Sequence, residues 1–368
     1  MARMIRRALS LLFLAAAVGA AQTAKPSPWV MQNSGTTASL RGIHALAGGI
    51  AWASGSDGTI LRTEDGGYLW QKCAVPKGAE KLDFRGIWAW DANTAIVMSS
   101  GPGDASRLYK TKDGCKSWKL LATNKYKDGF WDGISFINKD DGRLLGDPVD
   151  GKFQLFRILL RFGHAELTQF KNPGLAAKAA NQGAFAASNS SYDENSMIFG
   201  TGGKAGAYVY RINTVEVCAD CSDADEEASE MQSSFVKISV PMAGGSDGAG
   251  IFSVASDDKF GNERSVVAVG GDYEKPNESK GTAAYSADGG WRWTGSSVPP
   301  HGYRSAVGWY ATDRAWIAVG TNGSDYSRDD GKTWQPLDDG EWNALSLPYV
   351  VGPKGRIAKL ADNAIPRK

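Results

Sequence analysis

Short apolar stretches recur along the chain, and each begins at or just after a polar or small residue. Seven stretches share this form: "RGIHAL" (41–46), "RGIWAW" (85–90), "DGISFI" (132–137), "GAFAAS" (183–188), "GIFSVA" (250–255), "RSAVGW" (304–309) and "NALSLP" (343–348). A second apolar stretch that ends near glycine follows each of them. Runs of this length between glycine-rich turns are typical of buried β-strands. Long amphipathic helical patterns are hard to find, so the pattern predicts an all-β fold.

One motif follows these strands four times, as "TEDGGYLW" (63–70), "TKDGCKSW" (111–118), "SADGGWRW" (286–293) and "SRDDGKTW" (327–334). The distance in sequence between its terminal tryptophans gives the length of one repeat. Trp70 follows Trp29 by 41 residues, Trp118 follows Trp70 by 48, and Trp334 follows Trp293 by 41. This spacing suits one four-stranded, antiparallel propeller blade. The 175 residues from Trp118 to Trp293 leave room for three intervals, so we predict seven blades.

The two ends of the chain complement each other. After Trp334 the sequence supplies three strands, ending with "RIAKLA", and the N-terminal "PWVMQNSG" (28–35) supplies a fourth with its Trp in register. Pairing these ends would close the ring and remove an exposed sheet edge. We therefore expect one domain over residues 22–368, a seven-bladed β-propeller closed by its N-terminal strand. Its fourth blade carries an acidic insertion at about 212–232.

The repeated pattern Ser/Thr-x-Asp-x-Gly-x-Thr-Trp resembles the Asp-box, or bacterial neuraminidase (BNR) repeat. The Asp carboxylate can accept hydrogen bonds from its own turn, glycine permits positive φ, and the Trp buries a large surface between sheets. We therefore expect structural roles for eight residues: Asp65, Trp70, Asp113, Trp118, Asp288, Trp293, Asp329 and Trp334. In a blade these turns join strands three and four, so function is expected on the opposite face.

The first residues read as a secretory signal. Three arginines (3, 6 and 7) precede an apolar segment from Ala8 to Ala20, and small residues follow it. We expect residues 1–21 to be a signal peptide and the protein to be periplasmic or secreted. An uncleaved anchor is the alternative. No later segment could cross a bilayer, so no membrane span is expected after cleavage.

Balanced charge, with 41 Lys and Arg against 40 Asp and Glu, gives no support to a nucleic-acid partner. Export permits disulfides. We favour a local disulfide between Cys218 and Cys221 in "VCADCSDADEE", since no second cysteine pair or nearby histidine completes a zinc site. Cys73 with Cys115 is a further pairing that sequence does not establish. We predict no metal and no cofactor.

Residues at the start of the seven first strands should form a ring around the channel mouth: Arg41, Arg85, Asp132, Gln182, Ala249, Arg304 and Asn343. Neighbouring loops add Asp147, Asp272, Tyr273 and Tyr303. Converging arginines suit a carboxylate, a sulfate or an acidic peptide. Alternatively, Arg41, Arg85 and Arg304 pair with Asp132, Asp147 and Asp272 and only satisfy the channel wall. We predict these residues to be the ligand site: Arg41, Arg85, Asp132, Asp147, Asp272, Tyr273, Tyr303 and Arg304.

The ordered segments "FWDGISF", "GDPVDGKF", "GTGG", "GIFSVA", "AVGGDY", "HGYRSAVGW" and "GPKGRIAKL" resemble exported repeat proteins similar to the photosystem II assembly/stability factor. The resemblance covers nearly the whole chain after the signal. It implies a seven-bladed propeller that acts as an assembly or binding factor. It also implies an arginine patch that receives a protein segment, with Arg41, Arg85 and Arg304 as the candidates.

Two functions follow from these patterns. The first is a non-enzymatic binding or assembly factor whose arginine-rich face holds an acidic peptide, a carboxylate or a glycan. The alternative is a sialidase-like or other Asp-box glycoside hydrolase, whose catalytic residues would come from Asp132, Asp147, Asp272 and Tyr303. The Phe-Arg-Ile-Pro signature of sialidases is missing, which favours the first. "GTGGKAGAY" (200–208) lacks dinucleotide-binding spacing, so an oxidoreductase has no support.

Overall fold

The computed structural model describes residues 27–161, 163–178, 181–213 and 234–366. The strands in these ranges form antiparallel β-sheets. No α-helix forms within these ranges. The all-β prediction is therefore confirmed. The predicted signal peptide, Cys218, Cys221 and nearly all of the predicted acidic insertion lie outside the described residues.

Four sheets each contain four strands that are consecutive in the chain. The first sheet consists of β2 (Leu40–Ala45), β3 (Ala51–Gly55), β4 (Ile60–Thr63) and β5 (Gln71–Lys72). The second consists of β6 (Phe84–Ala89), β7 (Ala95–Ser99), β8 (Arg107–Thr111) and β9 (Lys119–Thr123). The third consists of β10 (Trp131–Phe136), β11 (Asp141–Val149), β12 (Lys152–Arg161) and β13 (His164–Gln169). The penultimate sheet consists of β23 (Ala306–Tyr310), β24 (Ala315–Gly320), β25 (Gly323–Ser327) and β26 (Gln335–Asp338).

A nine-stranded sheet lies between the third and the penultimate sheets in chain order. Its N-terminal half contains β14 (Gln182–Gly183), β15 (Tyr192–Asp193), β16 (Ile198–Gly203), β17 (Tyr208–Asn213) and β18 (Ser234–Ser239). Its C-terminal half contains β19 (Ala249–Ser256), β20 (Val266–Asp272), β21 (Ala283–Ser286) and β22 (Thr294–Gly295). The pairing of Gly202 with Gly250 joins the two halves.

The last sheet joins the two ends of the described chain. Its strands β27 (Ala344–Ser346), β28 (Tyr349–Val351) and β29 (Ile357–Leu360) are followed by β1 (Trp29–Gln32), which pairs antiparallel with β29. The pairing sets Trp29 opposite Leu360. The indole of Trp29 donates to the hydroxyl of Ser324 in the penultimate sheet, 3.0 Å away.

Apolar clusters lie between sheets that are consecutive in the chain, between the first and last sheets, and between the two halves of the nine-stranded sheet. One contains Leu40 and Trp70 of the first sheet and Tyr349 of the last, and another contains Ile96 of the second sheet and Trp131 of the third. The remaining clusters have the same arrangement. Burial of large side chains such as Trp131, which is 2 % exposed, provides the main force that holds neighbouring sheets together.

The first strands of consecutive sheets contact one another: β2 with β6, β6 with β10, β19 with β23, β23 with β27, and β27 with β2. These strands are therefore the innermost ones and converge around one axis, as in a propeller. The stretch "GAFAAS" is an exception to the sequence prediction. Only Gln182–Gly183 pairs there as a strand, and pairing resumes at Tyr192. The residues between them form no strand.

The four repeated turns share a common set of hydrogen bonds, to which a hydroxyl bond to the second Asp oxygen is added in the second and fourth turns. In the turn before β26, the Ser327 hydroxyl donates to Asp329 Oδ1 at 2.8 Å and accepts from Gly331 N at 3.0 Å. Asp329 Oδ1 also accepts from Thr333 N at 2.9 Å, and Oδ2 accepts from the Thr333 hydroxyl at 2.6 Å. The other turns repeat the Ser/Thr-to-Asp bond at 2.8 Å. These bonds support the predicted structural role of the four aspartates.

A disulfide joins Cys73 to Cys115, across a sequence separation of 42 residues. Cys115 takes the place of the usual glycine in the second turn and keeps a positive φ of 63°. This is the left-handed region that non-glycine residues rarely adopt. The cross-link lies in the apolar cluster between the first and second sheets, so it ties those two sheets covalently.

We predict that Asp329→Ala lowers the free energy of unfolding by about 2 kcal/mol, because it removes charge-assisted hydrogen bonds within the turn. The neighbouring Asp330→Asn is the control, since asparagine tolerates the positive φ of 59° at that position. Chemical denaturation of both variants measures the difference. Equal stability of wild type and Asp329→Ala would contradict a structural role for this carboxylate.

Candidate functional site

β-Bulges at the start of the innermost strands aim side chains toward the axis. The register shifts by one residue between Leu40 and Gly42, between Phe84 and Gly86, and between Trp131 and Gly133. The extra residues are Arg41, Arg85 and Asp132, three of the predicted site residues. A bulge leaves its extra residue unpaired and redirects its side chain. The sequence prediction that these residues open the innermost strands therefore agrees with the pairing.

The equivalent position in β19 belongs to Phe252, because the register shifts between Ile251 and Ser253. The sequence analysis placed Ala249 in the ring instead, but Ala249 pairs with Asp272 in regular register. A signal for Phe252 exists in the sequence. A small residue followed by an aliphatic one recurs after each extra residue, as Gly42-Ile43 and as Ser253-Val254.

Arg304 does not occupy the position in its sheet that Arg41 occupies in the first sheet, but the position one residue earlier. The backbone N–H of Arg304 donates to Gly270 O at 2.9 Å, as that of Leu40 donates to Gly352 O and that of Trp342 to Gly320 O. Arg304 therefore occupies the buried position of Leu40 and Trp342 and is 0 % exposed. The residues that follow these three, namely Ser305, Arg41 and Asn343, line a common cavity.

The Arg304 guanidinium is held inside the protein. Its Nε donates to Asp325 Oδ2 at 2.6 Å, and its Nη1 donates to Asn322 Oδ1 at 2.6 Å. His301 Nδ1 lies 2.8 Å from the other oxygen of Asp325, and this hydrogen bond raises the pKa of His301. Arg304 is thus neutralised by Asp325 and is not among the residues that line the cavity. Its predicted role in ligand binding receives no support from this geometry.

Residues 184–191, here named the central segment, lie between the innermost strands. The Ser190 hydroxyl donates to Ser253 Oγ in β19 at 2.7 Å, and Asn189 Oδ1 accepts from Ile134 N in β10 at 2.8 Å. The Ser188 hydroxyl donates to Ser305 O, next to β23, at 2.7 Å, and Ala186 O accepts from Arg85 Nη1 in β6 at 3.2 Å. A segment bonded to four innermost strands lies across the axis that they surround.

The central segment fits closely because the facing strands carry glycine. A Cβ at Gly86 would lie 3.0 Å from Asn189 Oδ1, and one at Gly133 would lie 3.2 Å from Ser191 Oγ. The segment is rich in small residues, and its Ser188 and Asn189 side chains bond to backbone groups of other strands while the segment itself forms no strand. This explains why "GAFAAS" departs from the strand prediction.

A cavity of about 370 Å³ lies where the central segment meets residues of the first, second, nine-stranded, penultimate and last sheets and the loops beside them. It is lined by side chains of two kinds. Arg41, Arg85, Ser305 and Asn343 are polar, and Phe185, Phe252, Tyr273 and Tyr303 are aromatic. Its size is at the lower end of the range for ligand pockets, about 300–1,000 Å³. Four predicted ligand residues, Arg41, Arg85, Tyr273 and Tyr303, therefore come together here.

The two arginines of the cavity differ in their partners. Arg85 Nε forms an ion pair with Asp83 at 2.7 Å, and Arg85 Nη1 donates to Ala186 O. Arg41 has no ion pair or hydrogen bond among the described residues, and its Nε is buried. Burial and then the charge of Arg85 lower the pKa of Arg41, and the charge of Asp83 opposes them. Arginine stays protonated in proteins, and the one charge of Asp83 is already paired with Arg85, so the group of Arg41, Arg85 and Asp83 has an excess positive charge.

The aromatic side chains form a cluster around Phe252. The Phe185 ring stacks on it with centroids 3.8 Å apart, and Tyr303 packs edge-on at 4.8 Å. Tyr273 lies 6.2 Å away and is 51 % exposed. The sequence analysis missed Phe185 and Phe252. Burial raises the pKa of Tyr303, which opposes the ionised phenol that a nucleophilic role would need.

The three predicted aspartates lie elsewhere. Asp272 accepts hydrogen bonds from the Ser246 hydroxyl at 2.9 Å, in the loop before β19, and from Glu274 N at 3.0 Å. Burial and the charge of Asp147 raise the pKa of Asp132, which is 1 % exposed. Burial also raises the pKa of Asp147 to about 6, and Asp147 Oδ1 accepts from Ala184 N at 2.9 Å. None of the three forms an ion pair with Arg41, Arg85 or Arg304 in the described part of the chain.

Within the described residues, no group of three or more His, Cys, Asp and Glu side chains is placed to hold a metal ion. The same ranges contain no helix with the length and apolar character needed to span a bilayer.

Comparison with known proteins shows the fold. The chain matches no protein-family model. It is similar in structure to YCF48 bound to a D1 peptide and to YCF48 from Cyanidioschyzon merolae, each with a TM-score of 0.59 and 14 % identity over 92 % of this chain. The alignments cover 98 % and 100 % of those chains. The predicted resemblance to the photosystem II assembly factor is thus confirmed at the level of the β-propeller fold.

Two more distant likenesses cover only part of their counterparts. An ancestral GH74 enzyme has a TM-score of 0.51 and 11 % identity, over 88 % of this chain and 41 % of that one. Stretches of 101 and 91 residues are each 29 % identical to vacuolar protein sorting/targeting protein 10, from Neosartorya fischeri and Aspergillus fumigatus respectively. These stretches are 26 % and 24 % of this chain, and each covers 6 % of the relative's length.

We predict that protein stability falls as pH rises because of Asp147. Its folded-state pKa of about 6 exceeds the ordinary value of 3.8. Between these values the folded protein holds more protons than the unfolded chain, so the free energy of unfolding decreases as pH rises through that window. Asp147→Asn keeps an acceptor for Ala184 N and removes the charge. At pH 7.5 we expect the free energy of unfolding of this variant to exceed that of the wild type by on the order of 1–3 kcal/mol.

Urea denaturation at pH 5.0 and pH 7.5 measures this difference. Asp150→Asn is the matched control, because Asp150 is exposed and lies in the turn that follows the same strand. An Asp147→Asn variant whose stability changes with pH as much as that of the wild type would contradict the prediction.

Proposed function

We propose that this protein is an exported, non-enzymatic binding or assembly factor that holds an acidic segment of a partner protein in the cavity next to Arg41. The observation that carries this proposal is the guanidinium of Arg41, which lies in a cavity wall with a buried Nε and no partner among the described residues. A desolvated charge without a counter-ion is unfavourable. A ligand carboxylate would supply the missing charge and accept two parallel N–H bonds.

The fold comparison is compatible with a peptide ligand. One of the similar structures is YCF48 with a D1 peptide bound to it, so a propeller of this shape can hold a peptide. The identity of 14 % does not carry that partner over to this chain. A free carboxylate or an acidic glycan would offer the same group to Arg41, and we favour a peptide because the aromatic part of the cavity suits an apolar neighbour of the carboxylate.

The propeller is proposed to have seven blades, with the N-terminal strand in the last one. Two observations support this count. The two halves of the nine-stranded sheet are joined by a single residue pair, so they count as separate blades. Apolar clusters also lie between each consecutive pair of sheets, including the pair formed by the last sheet and the first. Pairing of β1 with β29 supplies the outer strand of the last blade. Residues 22–368 would then form one domain, with the insertion at about 212–232 in the fourth blade.

Export of the protein to the periplasm or the medium is proposed on two grounds. Residues 1–21 have the sequence of a signal peptide. The Cys73–Cys115 disulfide adds support, because structural disulfides persist mainly in oxidising compartments.

A glycoside hydrolase is the weaker alternative. Its candidate acids and nucleophile are poorly accessible, since Asp132 is 1 %, Asp272 9 % and Tyr303 4 % exposed. The likeness to a GH74 enzyme, at 11 % identity, concerns the fold alone. Asp132 and Asp147 are close enough for the charge of Asp147 to raise the pKa of Asp132, but Asp132 is too deeply buried to contact a sugar.

We predict that Arg41→Gln weakens the binding of acidic peptides by about tenfold or more, as expected for the loss of a charge-assisted hydrogen bond. The probe is a fluorescent peptide library in which each member carries one to three Asp or Glu residues, together with matched Asn and Gln peptides. Fluorescence anisotropy measures the affinity. The binding should also weaken as salt is raised.

Arg161→Gln is the control, because Arg161 is exposed and lies at the end of β12, outside the cavity. The proposal would be wrong if folded Arg41→Gln protein bound the acidic peptides as tightly as wild type, or if wild type did not distinguish acidic peptides from their amide counterparts.

A further inference from the structure

The number of unpaired charges in the cavity limits what the ligand can be. Three arginines were predicted to converge on one anion. Asp83 neutralises Arg85, and Asp325 neutralises Arg304. Arg41 remains as the one cavity arginine without a counter-ion in the described ranges. Because each ion pair already uses its own positive charge, the cavity is complementary to a ligand group with a single negative charge.

The remaining cavity surface is aromatic. Phe252 is buried and fixed by the Phe185 ring on its face and by the Tyr303 ring on its edge. Phe185 is half-buried and Tyr273 is 51 % exposed, so these two rings present accessible surface to the cavity. Aromatic rings interact favourably with further rings in stacked or edge-on arrangements.

Backbone hydrogen bonds and strand register position both the aromatic rings and Arg41. Phe185 belongs to the central segment, and the next residue of that segment accepts the hydrogen bond from Arg85. Phe252 occupies the bulge position that Arg41 and Arg85 occupy in their own strands. Phe185, Phe252 and Arg41 therefore have a fixed relationship, as a preorganised site requires, while Tyr273 lies in the loop that follows β20.

We infer that the cavity selects a carboxylate that lies next to an aromatic ring. The carboxylate pairs with Arg41, and the ring packs against Phe185 and Tyr273. This inference rests on the proposed function and names the chemical class that the site takes. Two sources share the chemistry: a peptide that ends in an aromatic residue, and a free aromatic acid of similar size. The volume of about 370 Å³ accommodates one such group.

Three small probes separate the charge from the ring. N-acetylphenylalanine carries both, N-acetylalanine carries the carboxylate alone, and N-acetylphenylalaninamide carries the ring alone. In calorimetric titrations of the wild-type protein we expect N-acetylphenylalanine to bind about tenfold more tightly than N-acetylalanine. The amide should bind more weakly than either acid.

The double variant Phe185→Leu/Tyr273→Leu keeps apolar volume and removes both accessible rings. We expect it to lose most of the preference for N-acetylphenylalanine while it still binds N-acetylalanine. Tyr68→Leu is the matched control, because Tyr68 is 95 % exposed and lies in a turn outside the cavity. Thermal melting confirms that each variant is folded, and the single variant Tyr273→Leu replaces the double one if Phe185→Leu destabilises the central segment.

Equal affinity for the two acids would overturn this inference and leave the proposed function intact, provided that Arg41→Gln still weakens both. Failure of N-acetylphenylalanine to bind would also overturn it. If, in addition, acidic peptides bind independently of Arg41, the proposed function fails as well. An octapeptide that ends in phenylalanine identifies the source. Tighter binding than N-acetylphenylalanine supports a chain end, and equal binding supports a free aromatic acid.

Discussion

The axis of the ring is filled by the protein's own chain, and the candidate site depends on this. The innermost strands converge, and the central segment bonds to four of them through Ser188, Asn189, Ser190 and the carbonyl of Ala186. Buried backbone and hydroxyl groups need partners, and these four strands supply them. The segment therefore closes the channel and provides the floor of a shallow cavity.

The central segment explains why the cavity combines an aromatic wall with the unpaired guanidinium of Arg41. Phe185 rests on Phe252, and Ala186 O satisfies a donor of Arg85 that Asp83 leaves available. Arg41 is the equivalent residue of the first sheet, yet none of the described residues accepts a bond from it. A charge held in a partly desolvated wall has a stronger interaction with an anion than one in bulk water. The recognition that we propose is thus concentrated on one guanidinium.

Much of this could be predicted from the sequence where local chemistry decides the structure. The Asp-Gly-Trp pattern predicted tight turns, and Asp329 and its equivalents bond within their own turns. Arg41 and Arg85 could be placed at the start of their strands because each precedes a Gly-Ile pair. Arg304 lies one residue before Ser305, the residue equivalent to Arg41, and so it lies in the interior. The buried Asp325, 21 residues further along, and Asn322 make that placement tolerable.

The central segment was not predictable in the same way, because its bonds are all to distant parts of the chain. "GAFAAS" has a strand-like composition, and nothing local shows that Asn189 will bond to β10 or that Gly86 and Gly133 leave room for it. The aromatic wall follows from the same long-range packing. The partner of Cys115 was likewise open in the sequence, although its place in a glycine position marked that turn as unusual.

A crystal structure of the protein soaked with 4-iodobenzoate, whose iodine is located by anomalous scattering, tests the central claim most directly. We expect the carboxylate within hydrogen-bonding distance of the Arg41 guanidinium and the iodinated ring against Phe185 and Tyr273. The account would be contradicted by an Arg41 that forms an ion pair with a carboxylate of its own chain. It would equally be contradicted by iodine bound only at other surfaces while the cavity next to Arg41 remains without ligand.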